Sequence, residues 1–460
     1  MLGDGFSIVH EVNINGICKH IYIMYRIYFK QAWNLIRQEK LFSLIYIVGT
    51  GLSVSMVMVL SIVYYVRIAN VYPETNRSRT LVVKSGKISK KGGSDNSSSK
   101  LSEKTINTCF APVKGIEAMA LIYNESAEAG LIQMAGSNEQ LPITAKFVNT
   151  DFWRVFSFDF LKGKPFSAAD FQSGVSTAVI SENLARRLFG TIDVVGRFVS
   201  KDFKQYRVCG VVKNASAVTG ITFAEMWIPY TACESYKNQQ IDDWNPDGVL
   251  GLMDTYLLVA PGADMKAVKA ACEANVKRYG QTLKDWTFTV LGQPDYFWQS
   301  TFRFWSNEAP DFGKLAIRFS LILLIFLMVP SVSLSGMTDS RMERRLAEMG
   351  VRRAFGAPRG NLMRQIFTEN LLFTLLGGVF GLLLSYLLIY LSRSWIISLG
   401  SSFVTALPGN EEVVFTPSML INWSVLGMAL LVCFILNLLS AMIPAWRAAH
   451  RPIVDSINVK

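Results

Sequence analysis

The chain has 460 residues, half of them apolar and 18% charged, with a net charge of +11 at pH 7. That average conceals long uncharged runs set between ordinary mixed stretches, which argues against a plain soluble domain. The basic balance is accounted for below by membrane topology, so nucleic-acid binding is not needed to explain it.

Residues 1–40 read as an N-terminal cytoplasmic segment. Met1 to Ile23 has little periodicity, whereas Met24 opens a regular amphipathic stretch, MYRIYFKQAWNLIRQEK, and is a candidate translation start. No charge occurs from Leu41 to Val66. A hydrocarbon core of roughly 30 Å asks for about 20 apolar residues in a helix, so residues 41–66 are expected to span a membrane. The run starts too late and is too long for a cleavable signal peptide, and no small-x-small site follows it, so it reads as a retained anchor.

Residues 67–314 read as a mixed α/β domain inserted between the first two spans on the outer side. Arg79 to Val83, Thr177 to Ile180, Tyr206 to Val212 and Tyr256 to Ala260 are short, β-branched runs expected to be strands. Ser181 to Gly190, SENLARRLFG, carries a Ser cap, Leu184 and Leu188 one turn apart, and a terminal Gly, which predicts a short helix. The polar Gly/Ser/Lys tract Lys84 to Lys100 cannot bury anything and is expected to be a mobile hairpin tip or loop. Trp153, Phe156, Phe158 and Phe160 form an aromatic cluster, better read as ordinary core than as a ligand pocket.

Three further spans are expected at residues 315–337, 366–392 and 422–445, giving a four-helix membrane protein. Lys19, Arg26, Lys30, Arg37 and Lys40 precede the first span, and Arg341, Arg344, Arg345, Arg352, Arg353, Arg359 and Arg364 crowd the 338–365 segment; both should be cytoplasmic. Residues 393–421 hold one arginine beside Glu411 and Glu412 and are expected to be an external loop. Residues 446–460, with Arg447, Arg451 and Lys460, return to the cytoplasm. Within residues 338–365, Asp339 to Phe355 is a charged helical segment with Leu346, Met349, Val351 and Phe355 as apolar contacts. Gly356 can close it and Pro358 can open the next helix. That next helix carries Gly377, Gly378 and Gly381 inside the bilayer, where small residues let a neighbour approach closely.

Site chemistry is sparse. His10, His20 and His450 all fall on the expected cytoplasmic side, so the outer domain has no imidazole for a triad or a zinc site. Cys18, Cys109, Cys209, Cys233, Cys272 and Cys433 show no metal spacing. The four in the outer domain could pair, but free buried thiols are the favoured reading. The neighbours Asp242 and Asp243, like Glu411 and Glu412, point apart on any regular element and make poor acid/base pairs. Ser85-Gly86-Lys87-Ile88 lacks both the leading glycine and the following hydroxyl of a phosphate-cradling loop, so no cofactor and no nucleotide hydrolysis are expected on this chain.

RLAEMGVRRAFGAPRGNLMRQIFTENLLFTLLGGVFGLLLSY resembles the signature of the FtsX-like permease domain, expected over residues 315–455. The core of that signature falls on Glu348, Gly350, Arg352, Arg353, Ala354, Gly356 and Ala357. VNTDFWRVFSFDFLKGKPFSAADF, AVISENLARRLFG and YRVCGVVKN are similar, in order, to motifs of the MacB-type periplasmic core domain. AMIPAWRAAHRPIVDSI resembles the family's closing motif.

The resemblance implies a MacB-like, type VII ABC transporter permease of the bacterial inner membrane, non-catalytic itself. Its ATPase, with ATP and magnesium, would sit on a partner chain. It also implies a second permease copy or paralogue, surrounding lipid, and room for a periplasmic adaptor and an outer-membrane channel. The seven signature residues would then lie on a coupling helix docked on the ATPase, and the first two spans would extend outward as a stalk for mechanotransmission. Two other readings stay open: an FtsX-like signalling protein that activates a cell-wall hydrolase, and a LolC/LolE-like lipoprotein-releasing permease.

Overall fold

The computed structural model describes residues 40–326, apart from short gaps at 125–128, 135–139, 217–218, 238–244 and 304, then 359–392 and 423–450, with a few isolated residues elsewhere. The chain divides into two compact units, with one boundary between Val63 and Tyr64 and another between Phe312 and Gly313. Helix α1 covers Lys40–Ile68. The outer unit contributes α2 (Glu103–Cys109), α3 (Glu182–Phe189), α4 (Met265–Thr282) and the short α5 (Phe297–Thr301). Helix α6 occupies 312–326, α7 is Arg359–Leu391 and α8 is Trp423–His450.

The unit holding residues 64–312 is built on a 15-stranded mixed sheet. Strand Ile116–Tyr123 runs antiparallel to Met253–Val259, whose other edge takes Thr80–Val83, and that strand in turn pairs with Asp295–Tyr296. Farther along, Thr177–Ser181 lies parallel to Lys204–Val212 and antiparallel to Met226–Pro229, which is itself parallel to Gln140–Val148. The central strands read as unbroken apolar runs because both faces are covered. Leu81 and Val83 enter one core while Val82 enters the other, and Ala178 and Ile180 are divided from Val179 in the same way. The aromatic cluster is core: Phe152 and Trp227 are fully buried, and Trp153 packs edge-on against Phe158 and Trp227 at 5.4 and 6.1 Å.

Local rules account for several boundaries. Ser181 caps α3, its hydroxyl accepting from the Leu184 amide at 3.1 Å, and Gly190 closes the helix at φ 71°, where a Cβ would be strained. The tract from Lys84 to Lys100 departs from expectation. Gly86–Lys90 and Asn96–Leu101 form a regular antiparallel hairpin, and Trp286–Thr289 extends it. Ile88, the tract's one large apolar side chain, is fully buried. A single well-placed isoleucine plus backbone pairing suffices to order a segment whose composition is polar; the turn at 91–95 stays exposed. Cys109, Cys209, Cys233 and Cys272 are free thiols.

Two helices are long and apolar enough to cross a membrane among the described residues: Lys40–Ile68 and the Met363–Leu391 part of α7. In α8 there is a shorter apolar stretch, Leu426–Ile435, and α6 exposes Ile317 and Leu321 to Ile325.

Candidate functional site

The glycines of α7 sit against α1 and α8. A Cβ on Gly377 would lie 2.8 Å from the Thr50 Cβ and 3.2 Å from the Ile47 carbonyl oxygen; one on Gly381 would lie 2.6 Å from the Gly51 carbonyl oxygen and 2.8 Å from the Val54 Cβ. Gly378 turns to another neighbour, and a Cβ there would collide with Leu430 of α8. Gly51 reciprocates from α1, facing Phe380 and the Gly377 carbonyl. A pair of small residues four apart therefore lets backbone approach backbone, the way helices associate where apolar burial gives no net drive.

Polar groups reinforce the same seam. The Tyr46 hydroxyl donates to Asn370 Oδ1 at 2.7 Å, with both side chains buried, and the Tyr46 ring lies 4.9 Å from that of Phe373. Glu369 is 2% exposed and accepts from Gln365 Nε2 at 3.1 Å. It falls within the apolar Met363–Leu391 segment. The interhelical bond from Tyr46 to Asn370 is worth about 1 kcal/mol in lipid. Sequence reasoning singled out the glycines but not Tyr46 and Asn370; the available signal was a phenol and an amide among the few hydrogen-bonding side chains of two uncharged runs.

Glu348, Gly350, Arg352, Arg353, Ala354, Gly356 and Ala357 lie outside the described residues, as do Asp242, Asp243, Glu411 and Glu412. Phe355 is described: it is in a turn and 88% exposed, not an apolar contact of a charged helix. Among the described residues no three His, Cys, Asp or Glu side chains are grouped as a metal would require.

Residues 43–275 match the MacB-like periplasmic core domain, and residues 320–453 match the FtsX-like permease C-terminal domain. The chain belongs to the MacB-like family of ABC transporter permeases. It is 22% identical over 351 residues to the uncharacterized ABC transporter permease YknZ of Bacillus subtilis, covering 75% of this chain and 77% of that one. It is 25% identical over 312 residues to the macrolide export ATP-binding/permease protein MacB of Chromobacterium violaceum, covering 67% of this chain. Pseudomonas aeruginosa PvdT, a pyoverdine export ATP-binding/permease protein, is 26% identical over 239 residues. The chain spans 42% and 33% of the length of these last two relatives. Among solved structures it is similar to the extracellular domain of YknZ (TM-score 0.31, 18% identity, 41% of this chain and 88% of that one). It is likewise similar to the periplasmic region of MacB from Actinobacillus actinomycetemcomitans (TM-score 0.30, 11% identity, 45% and 88%). This permease is thus a membrane protein with an extracytoplasmic domain.

Proposed function

We propose that this permease is a non-catalytic, four-span subunit that couples ATP hydrolysis on a partner ATPase to movement of its outer domain, driving export. Its N- and C-termini would be cytoplasmic, and it would work with a second permease copy or paralogue. Glu348, Gly350, Arg352, Arg353, Ala354, Gly356 and Ala357 would form the contact with the ATPase, and Gly377, Gly378 and Gly381 the packing that makes the spans move together. A periplasmic adaptor and an outer-membrane channel are compatible further partners, and the names of the export relatives support a small-molecule cargo.

One observation carries the reading: the chain matches the MacB-like periplasmic core domain over residues 43–275 and the FtsX-like permease C-terminal domain over residues 320–453. The 29 residues of α1 make a rod of about 43 Å, longer than the roughly 30 Å hydrocarbon core. The described part of α7 from Asn370 onward holds no ionisable side chain apart from tyrosine to mark a polar path.

The test is Arg352→Glu with Arg353→Glu, followed by ATPase activity of the co-purified complex in membranes. Reversing both charges should release the ATPase or remove its stimulation by the permease. Unaltered association and turnover would remove the coupling role.

A further inference from the structure

The last turn of α1 carries a cation, Arg67, that the helix end does not need. The carbonyl oxygens of Val66 and Ala69 already accept from Arg77 Nη1, and Arg77 Nε and Nη2 both lie 2.8 Å from Glu74 Oε2. Free acceptors and the negative end of the helix dipole, the usual reasons for a cation in a last turn, are thus served by another residue. Arg67 itself is half-buried, and among the described residues no carboxylate and no hydrogen-bond acceptor meets its guanidinium. Other partly or fully buried arginines of the outer unit differ: Arg79, Arg187 and Arg303 meet carboxylates at 2.7, 2.5 and 2.6 Å.

A guanidinium that loses water without gaining an acceptor is destabilising, so the pattern calls for an acceptor from outside the chain. Five donors in a rigid plane suit the paired oxygens of a phosphate or a carboxylate. Position favours the phosphate. Arg67 is the first charged residue after the uncharged run Leu41 to Val66, on a helix long enough to pass through a hydrocarbon core and emerge among headgroups. Arginines at the ends of spans extend to that level.

Aromatic side chains gather at the same place. Tyr64, one turn before Arg67, stacks on Phe302 with ring centres 5.9 Å apart, and Thr301 Oγ1 lies 3.5 Å from the Arg67 carbonyl oxygen. One turn back from Thr301 in α5, Trp298 packs on Phe312 at 5.2 Å, and the two rings remain 43% and 38% exposed. Trp227, a core indole of the same unit, is by contrast fully buried. Phe312 opens α6, so chain connectivity alone puts these rings beside the start of the second expected span. Exposed indole and phenol rings collect at the boundary between hydrocarbon and water.

We propose that Arg67 binds the phosphodiester headgroup of a bilayer phospholipid, with the exposed rings of Trp298 and Phe312 as the apolar surface beside it. The assignment rests on the reading of α1 as a span and is independent of ATP coupling.

The experiment titrates the full chain in detergent with phosphatidylglycerol and counts retained lipid by native mass spectrometry. Arg67→Gln should lower retention of the first lipid about tenfold, as expected for loss of one charge-assisted pair. Arg67→Lys, which keeps the charge but not the fork, should lower it less. Arg186→Gln, at an exposed pair with Glu182, should leave it unchanged. Diacylglycerol with the same chains should bind parent and Arg67→Gln alike. Glycerol 3-phosphate should displace the lipid only at far higher concentration; displacement at equal concentration would identify a soluble phosphate ligand and overturn the lipid assignment. Retained amide protection in strand Ile116–Tyr123 establishes that the variants are folded. Equal retention by folded Arg67→Gln would overturn the site. A photoreactive amino acid at the exposed Met56 of α1 reads the span separately in nanodiscs. Capture of acyl chains there without any Arg67 dependence removes the site alone, whereas no capture removes the span and the site with it.

Discussion

The two units of this permease are held together by opposite means. In the outer unit, large side chains fill space: Trp227, Tyr230, Phe110 and Phe152 are fully buried in two cores on the faces of one sheet. In the membrane unit, side chains are withheld: Gly377 and Gly381 leave room for Thr50, Gly51 and Val54, and Gly378 leaves room for Leu430. Water explains the difference. Burial of apolar surface drives assembly only where water is the alternative, whereas in lipid the gain comes from close backbone approach and a few satisfied polar groups such as Tyr46 with Asn370. Removing atoms should therefore harm one unit, and adding atoms the other.

The largest effect is expected from Trp227→Ala. The indole is fully buried against Trp153 and Phe158, and its Nε1 donates to the Thr222 carbonyl at 3.3 Å. Loss of a buried aromatic of this size costs about 3–5 kcal/mol, visible as faster amide exchange in Thr177–Ser181 and Met226–Pro229 with no change in α7. Gly381→Ala is the converse. One added methyl meets the Gly51 carbonyl and the Val54 side chain, so α1 and α7 must separate or strain, at about 1–3 kcal/mol. Gly360→Ala, on the same helix with nothing within 4 Å of the added carbon, should instead stabilise by about 0.5–1 kcal/mol. Thermal unfolding in detergent gives the signs; equal signs at Gly360 and Gly381 would break the contrast.

Legibility followed the same division. In the outer unit the short β-branched runs, the Ser181 cap and the Gly190 stop were readable because they are local signals, and each corresponds to an observed element. The hairpin at Gly86–Leu101 was not, because its order comes from Trp286–Thr289, some 190 residues on, and from the burial of Ile88, neither of which composition reports. Nor were the buried pairs of Arg77 with Glu74 and of Arg303 with Asp295. Both carboxylates are within eight residues of their arginines, but burial of the pairs depends on Thr222 and Phe297 arriving from elsewhere in the chain. In the membrane unit the glycines were legible as small residues in an apolar run, while the choice of partner, α1 for two of them and α8 for the third, is a property of the assembled helices.

A smaller effect sharpens what burial means for the outer unit. Cys109 at the end of α2 and Cys272 in α4 are almost wholly buried on packed helices, where the Asn275 side chain donates to the Cys109 carbonyl at 3.1 Å. Burial pushes both thiols up to about 12, with Cys272 raising Cys109 a little further and Glu273 doing the same to Cys272. In the unfolded chain each thiol ionises near about 8.5. Between that value and about 12 the native protein binds more protons than the unfolded one, so stability must fall as pH rises through this window and be insensitive to these groups below it. The slope is at most about 1.4 kcal/mol per pH unit per thiol. Urea midpoints of the full chain at pH 8 and pH 10 should therefore fall more steeply for the parent protein than for Cys109→Ala with Cys272→Ala, even though the double variant is less stable at pH 8. Parallel slopes would mean that these thiols ionise without leaving the folded state, and that the core around α2 and α4 is wetter than the packing of the outer unit implies.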